Sequence, residues 1–230
     1  MAYFPINVEL SNRPCTVIGG GRVALRKVKS LLACDATVTL ISPAATPELE
    51  MLVAQGLLTW HKRGYRPGDL AGSFLVIAAT DDETVQEQVH REAEQNNQLL
   101  NVADVPKWCN FILPATLRQG DLAISISTAG KSPVLAKRLR QELEKSFGPE
   151  YHLALELMGS LRPLVLARGL PHEENKIIFE KLLHPDLITL LGKGEWQTIR
   201  NHIQTVLGPE VDLSCLDTLP GNLHHISEET

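Results

Sequence analysis

One stretch decides the fold of this chain: Val17-Ile18-Gly19-Gly20-Gly21-Arg22-Val23-Ala24. It follows an apolar, β-branched run and precedes a run with helical periodicity, so it predicts the first turn of a βαβ unit. The G-x-G-x-x-A pattern of dinucleotide-binding turns falls on Gly19, Gly21 and Ala24. Gly19 would allow the tight turn, and Gly21 would let the backbone approach a pyrophosphate. Ala24 would keep the helix close to the sheet. Taken alone, the pattern also fits an ordinary turn between a strand and a helix.

Length and composition exclude several classes of protein. The chain has 230 residues, of which 43% are hydrophobic, enough for one large domain or two smaller ones. Its net charge of −5 argues against general affinity for nucleic acid. No apolar run reaches the roughly 18 residues of a membrane span, and the first residues do not resemble a signal peptide. The four cysteines show no metal-ligand spacing, so we expect a reduced, cytoplasmic protein with Cys15 and Cys109 buried.

Strand and helix patterns alternate over the first half of the chain. The predicted strands are 15–18, 36–41, 57–61, 74–79 and 99–103, and the predicted helices are 23–32, 47–55 and 81–96. This alternation predicts an α/β fold with a Rossmann-type doubly wound parallel sheet. Thr80 is the expected N-cap of the third helix, with Glu83 as its capping-box partner.

After about residue 106 the pattern changes. Two strands, 111–113 and 122–127, are predicted on either side of a turn at 118–121. Helices are expected at 134–147, 150–167, 172–183, 186–191 and 195–206. The polar tail that follows Gly208 has few apolar residues, and we expect it to be loosely ordered.

The first of these helices has clear boundary signals. Ser132 suits the N-cap, and Pro133 suits the first helical position because its missing N–H costs nothing there. Leu135, Leu139 and Leu143 recur every four residues. They define the face that the helix is expected to bury.

Candidate binding residues follow the predicted strands, at the sheet edge where open α/β sheets bind ligands. The segments at that edge are 19–23, 42–44, 80–81 and Asp104. Segment 42–44 lacks the acid that normally holds the ribose of NAD, and no nearby arginine argues for NADP. Asp104 directly follows an apolar strand, and burial there would make its carboxylate a better proton acceptor. Equally, Asp-x-Pro commonly forms a turn in which the carboxylate bonds local backbone.

A second candidate is the segment from Thr128 to Ser132, which brings hydroxyls, a glycine and Lys131 to a helix start. Such a segment can cradle an anion. It can also simply cap the helix, and the residues alone slightly favour capping. None of the histidines has metal-ligand spacing, and His224 and His225 in the tail are expected to be incidental. We therefore expect no metal site in the protein.

Together these motifs resemble one family. The matching segments, in order and spacing, are Pro5-Ile6, the stretch 17–24, Ile77-Ala78-Ala79-Thr80-Asp81-Asp82, Asn101-Val102-Ala103-Asp104, and Ser127 to Ala136. They resemble the precorrin-2 dehydrogenase and sirohydrochlorin ferrochelatase module of sirohaem synthase. The resemblance covers about residues 1–150 well and the helical remainder more loosely.

The resemblance implies a domain organisation. It predicts an NAD-binding Rossmann domain at 1–113, a small mixed dimerisation segment at 114–148, a helical domain at 149–208 and a polar tail at 209–230. It also implies a homodimer with the active site near the domain junction. The larger fused enzymes add a methyltransferase, for which 230 residues leave no room, so we expect a stand-alone form.

The resemblance also implies the chemistry, which is oxidation of precorrin-2 to sirohydrochlorin with NAD, followed in some members by insertion of Fe²⁺. Asp104 would be the catalytic carboxylate. The implied cofactor contacts are Gly19, Gly20, Gly21, Arg22, Val23, Pro43, Ala44 and Thr80. The expected contacts to the many carboxylates of the tetrapyrrole are Lys107, Arg118, Thr128, Gly130, Lys131 and Ser132. At Thr128 the chain has threonine where a fused relative has serine, which preserves the hydroxyl.

Three interpretations of the function are compatible with the sequence. The protein would be a dehydrogenase alone, with a separate chelatase, or would also insert metal. Fe²⁺ and Co²⁺ are both candidate metal substrates. A third interpretation is a regulatory module that senses NAD(H) without turnover, which would need neither a base at Asp104 nor an anion site near Lys131.

Overall fold

The computed structural model describes residues 3–219, so His224, His225 and the last part of the tail lie outside the described residues. The chain forms two compact units, one ending at Leu113 and the other beginning at Pro114. No helix within the described range is long and apolar enough to cross a membrane.

The first unit is built on a parallel sheet, which confirms the predicted α/β, Rossmann-type architecture. Its strands are β1 (Pro14–Ile18), β2 (Thr37–Ile41), β3 (Leu58–His61), β4 (Leu75–Ala78) and β5 (Leu99–Val102), in the order β3-β2-β1-β4-β5. Its helices are α1 (Arg22–Leu32), α2 (Pro47–Ala54) and α3 (Glu83–Gln95). Because the strand order reverses between β1 and β4, the turn after β1 lies where open sheets bind ligands.

Both faces of this sheet are covered. Alternate residues of β4 enter different clusters, with Ile77 among the α1 and α2 side chains and Val76 among those of α3. Such burial stabilises the unit by about 1.5–3 kcal/mol per large aliphatic side chain. Cys15 is buried as predicted, and burial raises the pKa of its thiol to about 11, so it is protonated and inert at neutral pH. Cys109 is only half-buried, which corrects the prediction made for it.

The start of α3 differs from the prediction. Its N-cap is Asp82, whose Oδ1 accepts the N–H of Val85 at 3.1 Å. The Thr80 hydroxyl instead accepts the N–H of Asp82 at 3.3 Å. The predicted capping box between Thr80 and Glu83 is therefore wrong, because the helix begins two residues later than the sequence pattern indicated.

A loop between β3 and β4 is fastened to α3 by Glu92. The Glu92 carboxylate accepts the hydroxyl of Tyr65 and the N–H groups of Gly68 and Leu70, the last two at 2.8 and 2.9 Å. Burial, together with Glu92, raises the pKa of Tyr65, so its hydroxyl remains a donor. Leu70 is fully buried. These bonds therefore fix α3 to an anchored part of the loop between β3 and β4.

We expect Glu92→Ala to lower the free energy of unfolding by about 2–4 kcal/mol, because one carboxylate satisfies three donors. Urea denaturation measures the change. Glu94→Ala is the matched control, since Glu94 is exposed on the same helix, and it should change stability by less than about 0.5 kcal/mol. Equal stabilities of the two variants would contradict the proposed role of Glu92.

The second unit begins with an antiparallel ribbon and continues as helices. Its elements are β6 (Ala115–Gln119), β7 (Leu122–Ile126), α4 (Pro133–Ser146), α5 (Glu150–Leu166), α6 (His172–Leu182), α7 (Leu187–Lys193) and α8 (Trp196–Leu207). The strand predicted at 111–113 is wrong, because the first strand of the ribbon lies at Ala115–Gln119. In that strand only Leu117 is buried, so its sequence shows little of the alternation that predicts a strand. The apolar run at 111–113 led the prediction to place the strand too early.

Helix α4 confirms its predicted start but not its predicted burial. Ser132 is the N-cap, and its Oγ accepts the N–H of Leu135 at 3.2 Å. Leu135 and Leu139 are 48% and 37% exposed, Leu143 is half-buried, and Ala136 is the buried residue of this helix. The prediction that the leucine stripe is buried is therefore wrong for the single chain. The stripe forms an apolar surface.

The tail is ordered further than predicted. Leu213, Leu216 and Leu219 are buried in the same cluster as α5 and α8, around a 3₁₀ turn at Ser214–Thr218. The expectation of loose order is therefore wrong as far as residue 219. The domain boundaries predicted at 148 and 208 remain predictions.

Candidate functional site

The glycine turn after β1 passes between the ends of two neighbouring strands. Gly19 has φ +112°, and its N–H donates to Ile41 O at 2.9 Å. A Cβ on Gly19 would lie 2.7 Å from the carbonyl carbon of Ala79. A Cβ on Gly20 would overlap the carbonyl of Ala44. Only glycine therefore fits at these two positions, and Gly20 has a packing role that sequence reasoning did not assign to it.

Gly21 faces open space at the start of α1. No atom lies within 4 Å of the position that its Cβ would take, and the first turn of α1 carries no acidic residue. Arg22 and Val23 are exposed there, while Ala24 is fully buried and holds the helix against the sheet. Free N–H groups and the positive end of the helix dipole suit this point to a negatively charged phosphate.

The turn after β2 is held by a buried serine. The Ser42 hydroxyl donates to Ala44 O at 2.6 Å, and the indole N–H of Trp60 donates to Ser42 O at 2.9 Å. These bonds leave Pro43 and Ala44 exposed at the carboxyl edge. A ribose at this edge would meet backbone and apolar atoms rather than a carboxylate. Sequence reasoning missed the anchoring role of Ser42, for which its place before Pro43 was the available signal.

Thr80 lies at the same edge, just after β4. It is half-buried, and its carbonyl accepts the side-chain amide of Gln86 at 2.6 Å. The structure therefore brings the predicted cofactor residues to one edge of the sheet. Their contact with a cofactor remains a prediction.

Asp104 lies at this edge too, just after β5, with φ +61°. Its side chain is exposed, so the burial considered for it from the sequence is not found. Among residues 3–219 its carboxylate has no hydrogen-bond or ion-pair partner, so the alternative interpretation, a turn closed by the carboxylate, is not supported. Aspartate tolerates the left-handed conformation better than most residues, and here it presents an unpaired carboxylate to solvent.

The loop that carries Asp104 folds back along the free side of β5. The Asn110 side chain accepts the N–H of Leu100 and donates to Gln98 O, both at 2.8 Å, while its backbone N–H donates to Leu100 O. The sulfur of Cys109 accepts the N–H of Val102 at 3.2 Å. These bonds fix both ends of the loop and hold Asp104 at its tip.

Lys107 and Trp108 follow Asp104 in a short 3₁₀ turn. The Lys107 ammonium lies 4.9 Å from the centre of the Trp108 ring, and His90 of α3 stacks on that ring at 5.4 Å with a 16° angle between planes. Sequence reasoning named Lys107 as a candidate but did not consider Trp108. An aromatic residue directly after the lysine was the available signal of a contact between the two.

The remaining predicted substrate residues lie in the second unit. The Thr128 hydroxyl accepts the N–H of Ser132 at 3.2 Å, and its carbonyl accepts the N–H of Lys131 at 2.9 Å. These bonds use the hydroxyl and amides that an anion would need, and so favour the capping interpretation. The Lys131 side chain and Gly130 are exposed beside them.

Arg118 lies elsewhere on the ribbon. It pairs with Ala123 next to the turn, whereas the loop containing Thr128 leaves β7 beyond the Ala115–Ile126 pair. The two pairs lie three residues apart along the ribbon, or about 10 Å. Arg118 and the Thr128 loop therefore lie at different points along the ribbon. Across the described part of the chain, no three His, Cys, Asp or Glu side chains are grouped to hold a metal ion.

Two family models match the chain. Residues 6–115 match a family described as "Putative NAD(P)-binding", and residues 119–146 match "Sirohaem biosynthesis protein central". Siroheme synthase 1 of Aeromonas salmonicida is 36% identical over 211 residues, which cover 91% of this chain and 45% of that protein. The chain belongs to the sirohaem synthase family.

Other relatives agree with this assignment. Siroheme synthase 3 of Aeromonas hydrophila is 39% identical over 196 residues, which cover 85% of this chain and 42% of that protein. The chain thus spans less than half the length of the curated relatives that it matches. Among solved structures, "SirC, precorrin-2 dehydrogenase" matches with a TM-score of 0.75 and 25% identity, covering 89% of this chain and 98% of that one.

Proposed function

We propose that this chain oxidises precorrin-2 to sirohydrochlorin with NAD as the hydride acceptor. One observation carries the proposal: the open glycine turn at Gly21 and the carboxylate of Asp104, which has no partner among residues 3–219, share one sheet edge. The match to a precorrin-2 dehydrogenase along nearly the full length of that protein supports the choice of substrate.

The residues at this edge fit a dinucleotide. The space beside Gly21 and the absence of an acid from the first turn of α1 suit a pyrophosphate, with Arg22 and Val23 at the helix start. Pro43 and Ala44 would contact the ribose through backbone and apolar atoms, and Thr80 would lie on the other side of the turn. When bound, NAD supplies the acceptor for the hydride that leaves the substrate.

Asp104 would then receive the proton. Loss of a hydride from a saturated carbon of precorrin-2 leaves a cation, and loss of a proton from that cation forms the new double bond. A carboxylate with no competing partner among the described residues is suited to accept the proton. Lys107, Arg118 and Lys131 are the proposed contacts to substrate carboxylates, and Thr128, Gly130 and Ser132 are the proposed contacts near Lys131 in the sequence.

The test is anaerobic incubation of the purified protein with enzymatically made precorrin-2 and NAD. Equal amounts of NADH and sirohydrochlorin, followed by absorbance, are the expected result. NAD binding without product would contradict the proposal and favour a sensor of NAD(H).

Metal insertion needs a separate measurement, because a dehydrogenase alone and a bifunctional enzyme share the first reaction. Sirohydrochlorin would be incubated with Fe²⁺ or Co²⁺, each as substrate, with and without the protein. Insertion faster than in the protein-free control would assign a chelatase. Equal rates would leave the chain a dehydrogenase whose product passes to a separate chelatase.

We also propose that the chain forms a homodimer through the exposed face of α4. Val134, Leu135 and Leu139 are 80%, 48% and 37% exposed on this helix, and clustered apolar residues at a surface favour association. The family match to residues 119–146 covers the whole helix. A cytoplasmic location is part of the proposal, and the unpaired thiols of Cys15 and Cys109 support it.

The double variant Leu135→Glu/Leu139→Glu is expected to weaken dimerisation about 100-fold or more, because carboxylates would be buried without partners. Light scattering after gel filtration measures the mass. Leu155→Glu, at a leucine of α5 that is 40% exposed, is the matched control and should leave the dimer intact. A dimer that survives the double change would rule out α4 as the interface.

A further inference from the structure

Three side chains form a layered group beside Asp104. The Trp108 ring stacks on His90 at 5.4 Å, and the Lys107 ammonium lies 4.9 Å from the ring centre. His90 and Trp108 are both half-buried, whereas Lys107 is exposed. The stack therefore joins α3 to the 3₁₀ turn and fixes the indole to which the ammonium is attracted.

This placement has an electrostatic consequence. Lys107 lies three residues after Asp104 and is the nearest cation to it in the sequence. Nevertheless, no ion pair joins them, and the Asp104 carboxylate is without a partner among residues 3–219. An ammonium attracted to an aromatic face keeps N–H donors for another acceptor, because its three donors do not all point at one ring.

We propose that Trp108 is a positioning residue that holds Lys107 toward a substrate carboxylate and out of an ion pair with Asp104. This inference rests on the proposed oxidation of a polycarboxylate tetrapyrrole. It gives the indole two effects, since a correctly placed Lys107 strengthens substrate binding and an unpaired Asp104 is left to accept a proton. The two effects appear in different kinetic constants.

The test is steady-state kinetics with precorrin-2 and NAD for the wild type, Trp108→Leu, Trp108→Phe, Lys107→Ala and the double variant Trp108→Leu/Lys107→Ala. Trp108→Leu should raise KM for precorrin-2 and lower kcat, each about two- to fivefold, as expected for weak cation–π and surface ion pairs. Adding Lys107→Ala to Trp108→Leu should restore kcat to the value of Lys107→Ala, because no cation then competes for Asp104. Trp108→Phe retains an aromatic face and should fall between the wild type and Trp108→Leu.

The outcomes separate this inference from the proposed function. A wild type that forms no NADH overturns the proposed function and this inference with it. An active wild type in which Lys107→Ala fails to restore kcat, or in which Phe and Leu at position 108 behave alike, overturns the role of Trp108 alone. If Trp108→Leu does not fold, Trp108→Phe and its combination with Lys107→Ala provide the same comparison. Dissociation constants for NAD equal to that of the wild type exclude general damage to the first unit.

Discussion

Asp104→Asn is expected to lower kcat for precorrin-2 oxidation by about 100- to 10,000-fold, the usual contribution of a positioned general base. The amide is nearly the same size as the carboxylate but does not accept a proton at neutral pH. The Asp104 carboxylate accepts no hydrogen bond from residues 3–219, so the substitution removes no internal contact there. NADH formation under saturating substrate measures the change.

The fold should survive this substitution. Asparagine adopts the left-handed conformation required by φ +61° about as readily as aspartate. Asp35→Asn is the matched control, because Asp35 is also exposed, has φ +54° and lies at the opposite edge, before β2. An Asp104→Asn enzyme as fast as the Asp35→Asn enzyme would make Asp104 a turn residue.

Gly20→Ala is expected to destabilise the first unit by about 1–3 kcal/mol or more, the range for overpacked sites. The added methyl would overlap the Ala44 carbonyl and lie 2.8 Å from the Ser42 hydroxyl. Because the obstruction is partly backbone, relief requires a shift of the turn after β2, which carries the proposed ribose contacts Pro43 and Ala44. Thermal unfolding and NAD titration should therefore both show the damage.

Gly21→Ala should separate these two effects. Nothing lies within 4 Å of the position of the new methyl, and replacing an N-cap glycine by alanine costs at most about 1 kcal/mol. The unfolding temperature should change little, while the dissociation constant for NAD rises about tenfold or more because the methyl occupies the space beside the phosphate site. If Gly21→Ala binds NAD as tightly as the wild type, the phosphate does not lie at this turn.

The sequence predicted the first unit closely because its signals are local. Strands such as β4 are continuous apolar runs, and the glycine turn requires a strand before it and a helix after it. The placement of Gly21, Pro43 and Asp104 at one sheet edge followed from the prediction that each comes after a strand of a parallel sheet. Whether Asp104 was buried did not follow, since it depends on how a later segment folds back along β5.

Some of the errors, and the contacts that the sequence did not reveal, have a common physical origin in contacts between residues far apart in the chain. Leu139 has the spacing of a buried face, but the same spacing also suits a face that only a partner chain would cover. Leu213, Leu216 and Leu219 lie in a polar segment, and only the helical cluster that they enter makes them buried. The stack of Trp108 on His90 joins residues 18 apart through a strand and a loop, which no local periodicity encodes.

The bonds along β5 also protect this strand from pairing with a strand of another molecule. An outer strand of a sheet exposes alternating donors and acceptors to which a strand of another molecule can add, which is a route to aggregation. In this chain Asn110 and Cys109 occupy those groups on Leu100 and Val102. The loop that presents Asp104 thus also covers one outer strand of the sheet. Substitutions at its base should therefore cost solubility before they cost activity, whereas substitutions at its tip should do the reverse.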